Sequence, residues 1–259
     1  MVSLSIAIVC KNSMRTLPSV LESVRPLLEA GAELVAVDSG STDGTIELLE
    51  SRGVRVMRSA WLGFVRTKQL ALDHCRGEWV LSLDSDESPD PTLIASILGV
   101  ARSADTAQGY RLNRKTFVAG RFLEHCWQPE WRLRLVRRGL AKWGGIDPHD
   151  QLEMPAGAKE GTLEGTLRHD SFVSFADHIE RQARYARLHA EGLFGQGKRS
   201  GFVEIAVQPS AAFIKQLVLK SGWRDGWRGV LAAASTAAGT LMKHIVLYEL
   251  TAMQRESGR

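Results

Sequence analysis

Apolar residues along this chain fall first into short unbroken runs and later into long helical stripes. Leu4–Cys10, Glu33–Asp38 and residues 78–83 are runs of the first kind, as expected of strands buried on both faces, and residues 55–57 form a shorter one. Between them, Leu17–Glu29 has helical periodicity, with Pro18 near its start, where a missing N–H does no harm. The polar turn Ser39-Gly40-Ser41-Thr42-Asp43-Gly44 leads into a second helix through Glu47-Leu48-Leu49, and residues 65–74 predict a third. Strands alternating with helices predict βαβ units, hence an α/β fold around a mostly parallel, covered sheet.

After Pro89 the pattern loosens. A helix over 91–103 precedes candidate strands at 109–114 and 132–136, in a less regular stretch rich in Arg and Trp. From about Phe175 the stripes are helical, over Phe175–Gly195, 209–220 and 227–250, with breaks at Gly195-Gln196-Gly197 and Ser221-Gly222. The shift of period predicts an α/β domain over residues 1–172 and a helical region over 173–259. No internal repeat or low-complexity tract is present.

Composition fits a folded enzyme: 259 residues, 44% hydrophobic and 24% charged, bury one large core plus an appendage. The net charge of +4 is mild, yet Arg111, Arg114, Lys115, Arg121, Arg132, Arg134, Arg137 and Arg138 share a stretch opposed only by Glu124 and Glu130. That excess favours an anionic partner, or else marks a solvated two-faced ribbon. It carries no nucleic-acid recognition motif, so nucleic acid is not the expected partner. Cys10, Cys75 and Cys126 lack CxxC or His-linked spacing, which argues against zinc and disulfides and fits a reducing cytoplasm. The first residues show no basic leader followed by an apolar core, so no signal peptide is expected. Residues 229–242 are too short a run, and too rich in Ala, Ser, Thr and Gly, to cross a bilayer.

The chemistry concentrates where apolar runs end. Asp84-Ser85-Asp86-Glu87 follows residues 78–83, and adjacent carboxylates at a buried strand end need a divalent cation or a sugar hydroxyl as partner. Strand ends of open α/β sheets are also where ligands bind. The turn after the first run, Cys10-Lys11-Asn12-Ser13, has no glycine, which removes the dinucleotide fingerprint, and no GxxxxGK[ST] phosphate loop occurs. Asp38, ending the second run, can accept from a base N–H or ribose hydroxyl, or can simply form the turn before Ser39-Gly40-Ser41.

Taken together, Ile6-Ala7-Ile8-Val9-Cys10-Lys11-Asn12, Val37-Asp38-Ser39-Gly40-Ser41-Thr42-Asp43-Gly44-Thr45 and Leu83-Asp84-Ser85-Asp86-Glu87 resemble the family-2 inverting glycosyltransferases of GT-A fold over residues 4–170. Trp61-Leu62-Gly63-Phe64 with Lys68-Gln69, Gly109-Tyr110-Arg111, Arg132-Leu133-Arg134-Leu135, and the run from Lys220 through Trp223, Trp227 and Gly229 look like bacterial β-glycosyltransferases of lipopolysaccharide core assembly. Lys243-His244-Ile245 and Tyr248-Glu249-Leu250 extend that likeness. The resemblance implies a UDP-sugar donor, UDP-glucose by type, and a lipopolysaccharide core or related glycolipid acceptor. Polyprenyl phosphate and other surface polysaccharides are the alternative acceptors. A nucleotide-binding module without catalysis is the alternative of another class.

The same resemblance assigns roles. Asp86 is the direct ligand of Mg²⁺ or Mn²⁺, with His169 as a further ligand or else a packed histidine; Asp84 reaches the ribose or a metal-bound water. Glu87 lies near the donor sugar or at the surface; Asn12 and Asp38 border the nucleotide, and Lys11 and Lys68, or Arg66 in place of Lys68, neutralise its phosphates or else are solvated surface groups. Inversion needs a carboxylate that deprotonates the acceptor hydroxyl. The matching segment is Gly145-Ile146-Asp147-Pro148-His149-Asp150, where relatives commonly show His-Glu, so Asp150 is the candidate base, Asp147 its rival, and a plain polar turn the remaining reading.

Phe213, Leu217, Trp223, Trp227, Leu231, Leu241, Ile245 and Tyr248 alternate with Lys215, Lys220, Arg224, Arg228 and Lys243 in the C-terminal helices. Packing onto the catalytic domain or pairing of subunits is the first reading of that stripe. Peripheral contact with an anionic leaflet at the cytoplasmic face of the inner membrane is the second.

Overall fold

A computed structural model describes residues 2–103, 107–146 and 149–257. In chain order it holds β1 (Leu4–Cys10), α1 (Leu17–Glu29), β2 (Glu33–Asp38), α2 (Thr45–Ser51), β3 (Arg55–Arg58), α3 (Phe64–Asp73), β4 (Trp79–Asp84), β5 (Glu87–Pro89) and α4 (Pro91–Arg102). There follow β6 (Gly109–Val118), β7 (Arg121–Phe122), β8 (Trp131–Arg137), β9 (Lys142–Ile146), β10 (His149–Glu153), β11 (Glu160–His169), α5 (Phe175–Gly195), α6 (Phe202–Ile214) and α7 (Trp227–Ser257). The described residues divide into two compact units: one within Met1–Lys115, Glu130–Gly145 and Asp150–Asp170, the other within Thr116–Pro129, Ile146–His149 and Ser171–Arg259.

The first unit is built on a sheet of order β3-β2-β1-β4-β8-β6-β11-β5. The first four strands are parallel, as alternating strands and helices predict. β8 pairs antiparallel with β4 and with β6, and β11 with β5, so the parallel half continues into an antiparallel one and the sheet is mixed. The apolar runs of β1, β2 and β4 are buried on both faces. One face packs Ile6, Ile8, Leu81 and Leu83 against Leu17, Val20 and Val24 of α1 and Leu93 and Ile97 of α4; the other packs Ala7, Val35, Val37 and Val80 with Ala71 and Leu72 of α3. Asp90 caps α4, accepting from Leu93 N–H, and Pro91 stands at the first turn, where no donor is lost.

The second unit is mainly helical. Its core gathers Val118, Leu123, Cys126 and Phe172 with Ala232 and Ala233 of α7. Asp225 ties the loop before Trp127 to the helical region, accepting from the backbone N–H groups of Glu124, His125 and Cys126. Pro209, expected at a helix start, lies inside α6, whose helix continues as a π-helical turn over Lys215–Leu219.

Candidate functional site

Register brings the strand-end residues side by side. Along β1, Cys10 pairs with Asp38 and Val9 with Asp84, so the carboxyl ends of β2 and β4 flank that of β1. Asp38 is fully buried, and its oxygens accept from Gly40 N–H, Ser41 N–H and the Ser41 hydroxyl. These bonds build the turn before Ser39-Gly40-Ser41. Asn12, at φ 51°, accepts from Thr42 N–H at 2.8 Å and donates its own N–H to Ser41 Oγ, clasping the two loops. Lys11 beside it is exposed.

The acid turn finds most of its partners within the chain. Because β8 runs antiparallel to β4, with Leu135 opposite Leu81, Arg134 reaches the turn: its Nη2 donates to Asp84 Oδ2 at 3.1 Å and Glu87 Oε1 at 2.8 Å, and its Nε to Glu87 Oε2 at 3.1 Å. Arg114 adds a bond to Glu87 Oε1 at 2.9 Å and grips Glu130 with two nitrogens. Glu87 has no exposure, which removes the surface reading for it. Burial disfavours its charge, but Arg134 and then Arg114 hold its pKa well below the ordinary carboxylate value. Part of the Arg-rich stretch, Arg114 and Arg134, thus neutralises internal acids and is neither a solvated ribbon nor a cationic patch left open to an external anion.

Among the described residues no arginine or lysine is bonded to Asp86, unlike Asp84 and Glu87. Antiparallel pairing of β11 with β5 sets His169 opposite Glu87 and brings its Nε2 to 3.6 Å from Asp86 Oδ2. Burial raises the Asp86 pKa, and burial followed by the charge of Arg114 lowers that of His169. The His169 Nδ1 is buried with no hydrogen-bond partner. A carboxylate disfavoured as an unpaired anion beside an imidazole favoured as neutral is a donor pair that suits a hard or borderline divalent cation. Among the described residues no group of three or more His, Cys, Asp or Glu side chains gathers around one point.

Lys68, expected to face phosphate, lies instead between two carboxylates. Its Nζ is 2.6 Å from Asp84 Oδ1 and 2.7 Å from Asp150 Oδ2, and 4.7 Å from the centroid of the Trp143 ring. Burial opposes its charge, yet Asp84 and Asp150 raise its pKa above the ordinary value. One lysine therefore joins the acid at the end of β4 to the acid at the start of β10. Asp150 also lines a cavity of about 330 Å³, with Arg111, Trp131, Arg132, Arg134, Glu153 and Glu160 among the other walls. Asp147, its rival as base, lies outside the described residues.

Residues 5–152 match the family described as Glycosyl transferase family 2. The chain belongs to that family. It is 29% identical over 261 residues to the lipopolysaccharide core biosynthesis glycosyltransferase LpsC of Rhizobium meliloti (strain 1021), covering 97% of this chain and 94% of that protein. It is 24% identical over 258 residues to an uncharacterized glycosyltransferase of Rickettsia bellii (strain RML369-C), covering 96% and 87%. In fold it is similar to Staphylococcus aureus TarS residues 1–349, solved in complex with UDP (TM-score 0.51, 14% identity, 99% and 92% covered). It is also similar to glucosyl-3-phosphoglycerate synthase of Mycobacterium tuberculosis, solved with Mn²⁺, UDP and phosphoglyceric acid (TM-score 0.50, 20% identity, 74% and 78% covered). The fold is the GT-A fold implied by the three N-terminal motifs.

Arg114, Arg134 and Glu130 stood in the sequence only as members of the Arg-rich stretch, with no link to the acid turn, and Trp143 was not singled out. Their one visible signal was an arginine at alternate positions of an otherwise apolar strand, Arg132-Leu133-Arg134-Leu135, where an inward-facing cation must find a buried acid.

Proposed function

We propose that this family-2 transferase is a metal-dependent, inverting hexosyltransferase that moves glucose from UDP-glucose to a sugar hydroxyl of the lipopolysaccharide core or a related bacterial glycolipid. The observation that carries the reading is the Asp84–Lys68–Asp150 bridge, which ties a donor-side acid turn to a carboxylate in a cavity wall. The acceptor class follows the near full-length likeness to LpsC. The donor and ion follow the class of glucosyl-3-phosphoglycerate synthase, solved with Mn²⁺ and UDP. In this reading the enzyme works at the cytoplasmic face of the inner membrane, where nucleotide sugar and lipid acceptor meet.

Each residue then has a task. Asp150, held by Lys68, accepts the proton of the acceptor hydroxyl as that oxygen bonds to the anomeric carbon and the carbon–diphosphate bond breaks on the opposite face. Asp86 and His169 would hold Mg²⁺ or Mn²⁺, which when bound supplies Lewis-acid neutralisation of the leaving diphosphate. Asp84 faces the ribose while Lys68 and Arg134 fix its carboxylate. Glu87, clamped by Arg114 and Arg134, keeps the turn rigid beneath the donor sugar. Asn12 and Asp38 hold the loops that border the nucleoside, and Lys11 is the exposed cation available to phosphate. Trp131 and the Arg111–Glu160 pair of the cavity are the kind of surface that receives an acceptor sugar, an aromatic face ringed by polar groups.

The test is transfer from UDP-glucose to heptose-bearing core oligosaccharide in Mn²⁺, with the product's anomeric configuration read by NMR. A β-linked product that disappears in EDTA supports the reading; an α-linked product, metal-independent transfer, or transfer to polyprenyl phosphate alone contradicts it.

A further inference from the structure

In α6 and the π-helical turn that continues it, the amphipathic order is inverted. None of the helix residues is buried. Val203, Val207, Ala211, Ile214 and Val218 recur at helical spacing and are all exposed, at 69% for Val203, 54% for Val207, 52% for Ile214 and 56% for Val218. The opposite side is used internally: Phe213 and Leu217 pack on the second unit's core, and Gln216 Oε1 accepts from Trp127 N–H. Phe202 at one end and Leu219, Trp223 and Trp227 at the other extend the apolar surface, with Phe202 74% and Leu219 76% exposed. Such a contiguous apolar face on a folded protein marks an interaction surface.

Its borders identify the partner. Between residues 198 and 228 the chain carries six basic residues, Lys198, Arg199, Lys215, Lys220, Arg224 and Arg228, against two acids, Glu204 and Asp225. Asp225 accepts from three backbone N–H groups and Glu204 from the N–H of Gly201, while Lys220, Arg199 and Arg228 donate to neutral oxygens, so the segment keeps its net excess of four positive charges. An apolar stripe flanked by cations, with exposed tryptophans at one end, suits a lipid surface with anionic headgroups. We propose that the outer face of α6 and its continuation through Trp227 lies in the interfacial plane of an anionic leaflet. Phe202–Leu219 is long and apolar enough to cross a membrane by length and composition, but Glu204, Gln208, Lys215 and Gln216 lie within it and Phe213 and Leu217 turn to the protein, which favours a helix lying in the interface over one that spans. A membrane-borne acceptor, as proposed above, gives this docking its use, whereas the docking itself is read from the helix surface.

The test is co-sedimentation of the full chain with sucrose-loaded vesicles of phosphatidylglycerol and phosphatidylethanolamine, and with phosphatidylcholine vesicles for comparison, with no donor or acceptor present. Wild type sediments with the anionic vesicles and is released by high salt or carbonate. Val207→Glu combined with Ile214→Glu lowers the partition coefficient by about tenfold or more, and Lys215→Ala with Arg224→Ala weakens binding to anionic vesicles alone. Both variants keep the wild-type circular dichroism spectrum and transfer to a soluble oligosaccharide acceptor, which separates failure of docking from failure of the functional reading. Wild type left in the supernatant overturns the proposal, as does a dimer in light scattering that the Val207→Glu/Ile214→Glu variant abolishes. Carbonate-resistant pelleting overturns it in favour of a spanning helix.

Discussion

Arg134 donates from Nε and Nη2 to the two carboxylate oxygens of Glu87, at 3.1 and 2.8 Å, in a site closed to solvent. Removing one member of such a pair leaves the other charge buried and unmatched, a loss of about 3–5 kcal/mol. Glu87→Ala strands Arg134 and part of Arg114 together, so its urea midpoint falls sharply. A midpoint equal to wild type contradicts the clamp.

Glu130 carries the pH signature. Burial works against its ionisation, but the hydrogen bonds and charge of Arg114, then of Arg132, push its pKa down to about 2. A folded-state value below the ordinary 4.5 means that its stabilisation is complete above that pH and is lost as pH falls toward 2. Denaturation of wild type and Glu130→Gln at pH 7 and pH 3 isolates the contribution: the wild type loses about 2 kcal/mol more than the variant between the two pH values. Parallel losses would remove Glu130 from the account.

Asp86 works in the opposite sense. Its folded pKa is raised by burial, so its favourable contribution exists below the ordinary aspartate range and is lost as pH rises through the raised value. Asp86→Asn removes the group whose ionisation burial opposes, so it raises the metal-free melting midpoint and erases the upward shift that Mn²⁺ gives wild type. An undiminished Mn²⁺ shift in the variant counts against Asp86 as ligand.

Gly165 sets the position of β11, and hence of His169. Its φ is +103°, and a Cβ there would stand 2.3 Å from Leu93 N at the start of α4. Gly165→Ala costs about 3 kcal/mol from strain and overlap, read in denaturant, and weakens the Mn²⁺ shift because the β11–β5 pairing that carries His169 moves. Full stability in this variant shows that the close approach is not needed.

How far the sequence told this in advance depends on the range of each interaction. β1, β2 and β4 were legible because a strand buried on both faces writes an unbroken apolar run into a few neighbouring residues. The turn at Asp84 was legible for the same reason. The Arg134–Glu87 pair was not, since it joins residues 47 apart and exists only because β8 lies antiparallel beside β4. Lys68 read as a cation for phosphate because its two acids, 16 and 82 residues away, are invisible to local pattern. For the C-terminal helices packing stood first and membrane contact second by default: an apolar helical stripe usually points to core, and periodicity alone does not say which side of a helix its neighbours occupy.

The division of labour between Asp86 and Asp150 is tested most directly by one variant measured in two ways. Asp150→Asn keeps the shape of the side chain and removes its capacity to take a proton. Turnover from UDP-glucose to core oligosaccharide, measured beside UDP affinity by calorimetry in Mn²⁺, falls by about 10²–10⁴-fold with UDP binding unchanged if Asp150 is the base. Turnover within about twofold of wild type, well short of the general-base range, contradicts the assignment.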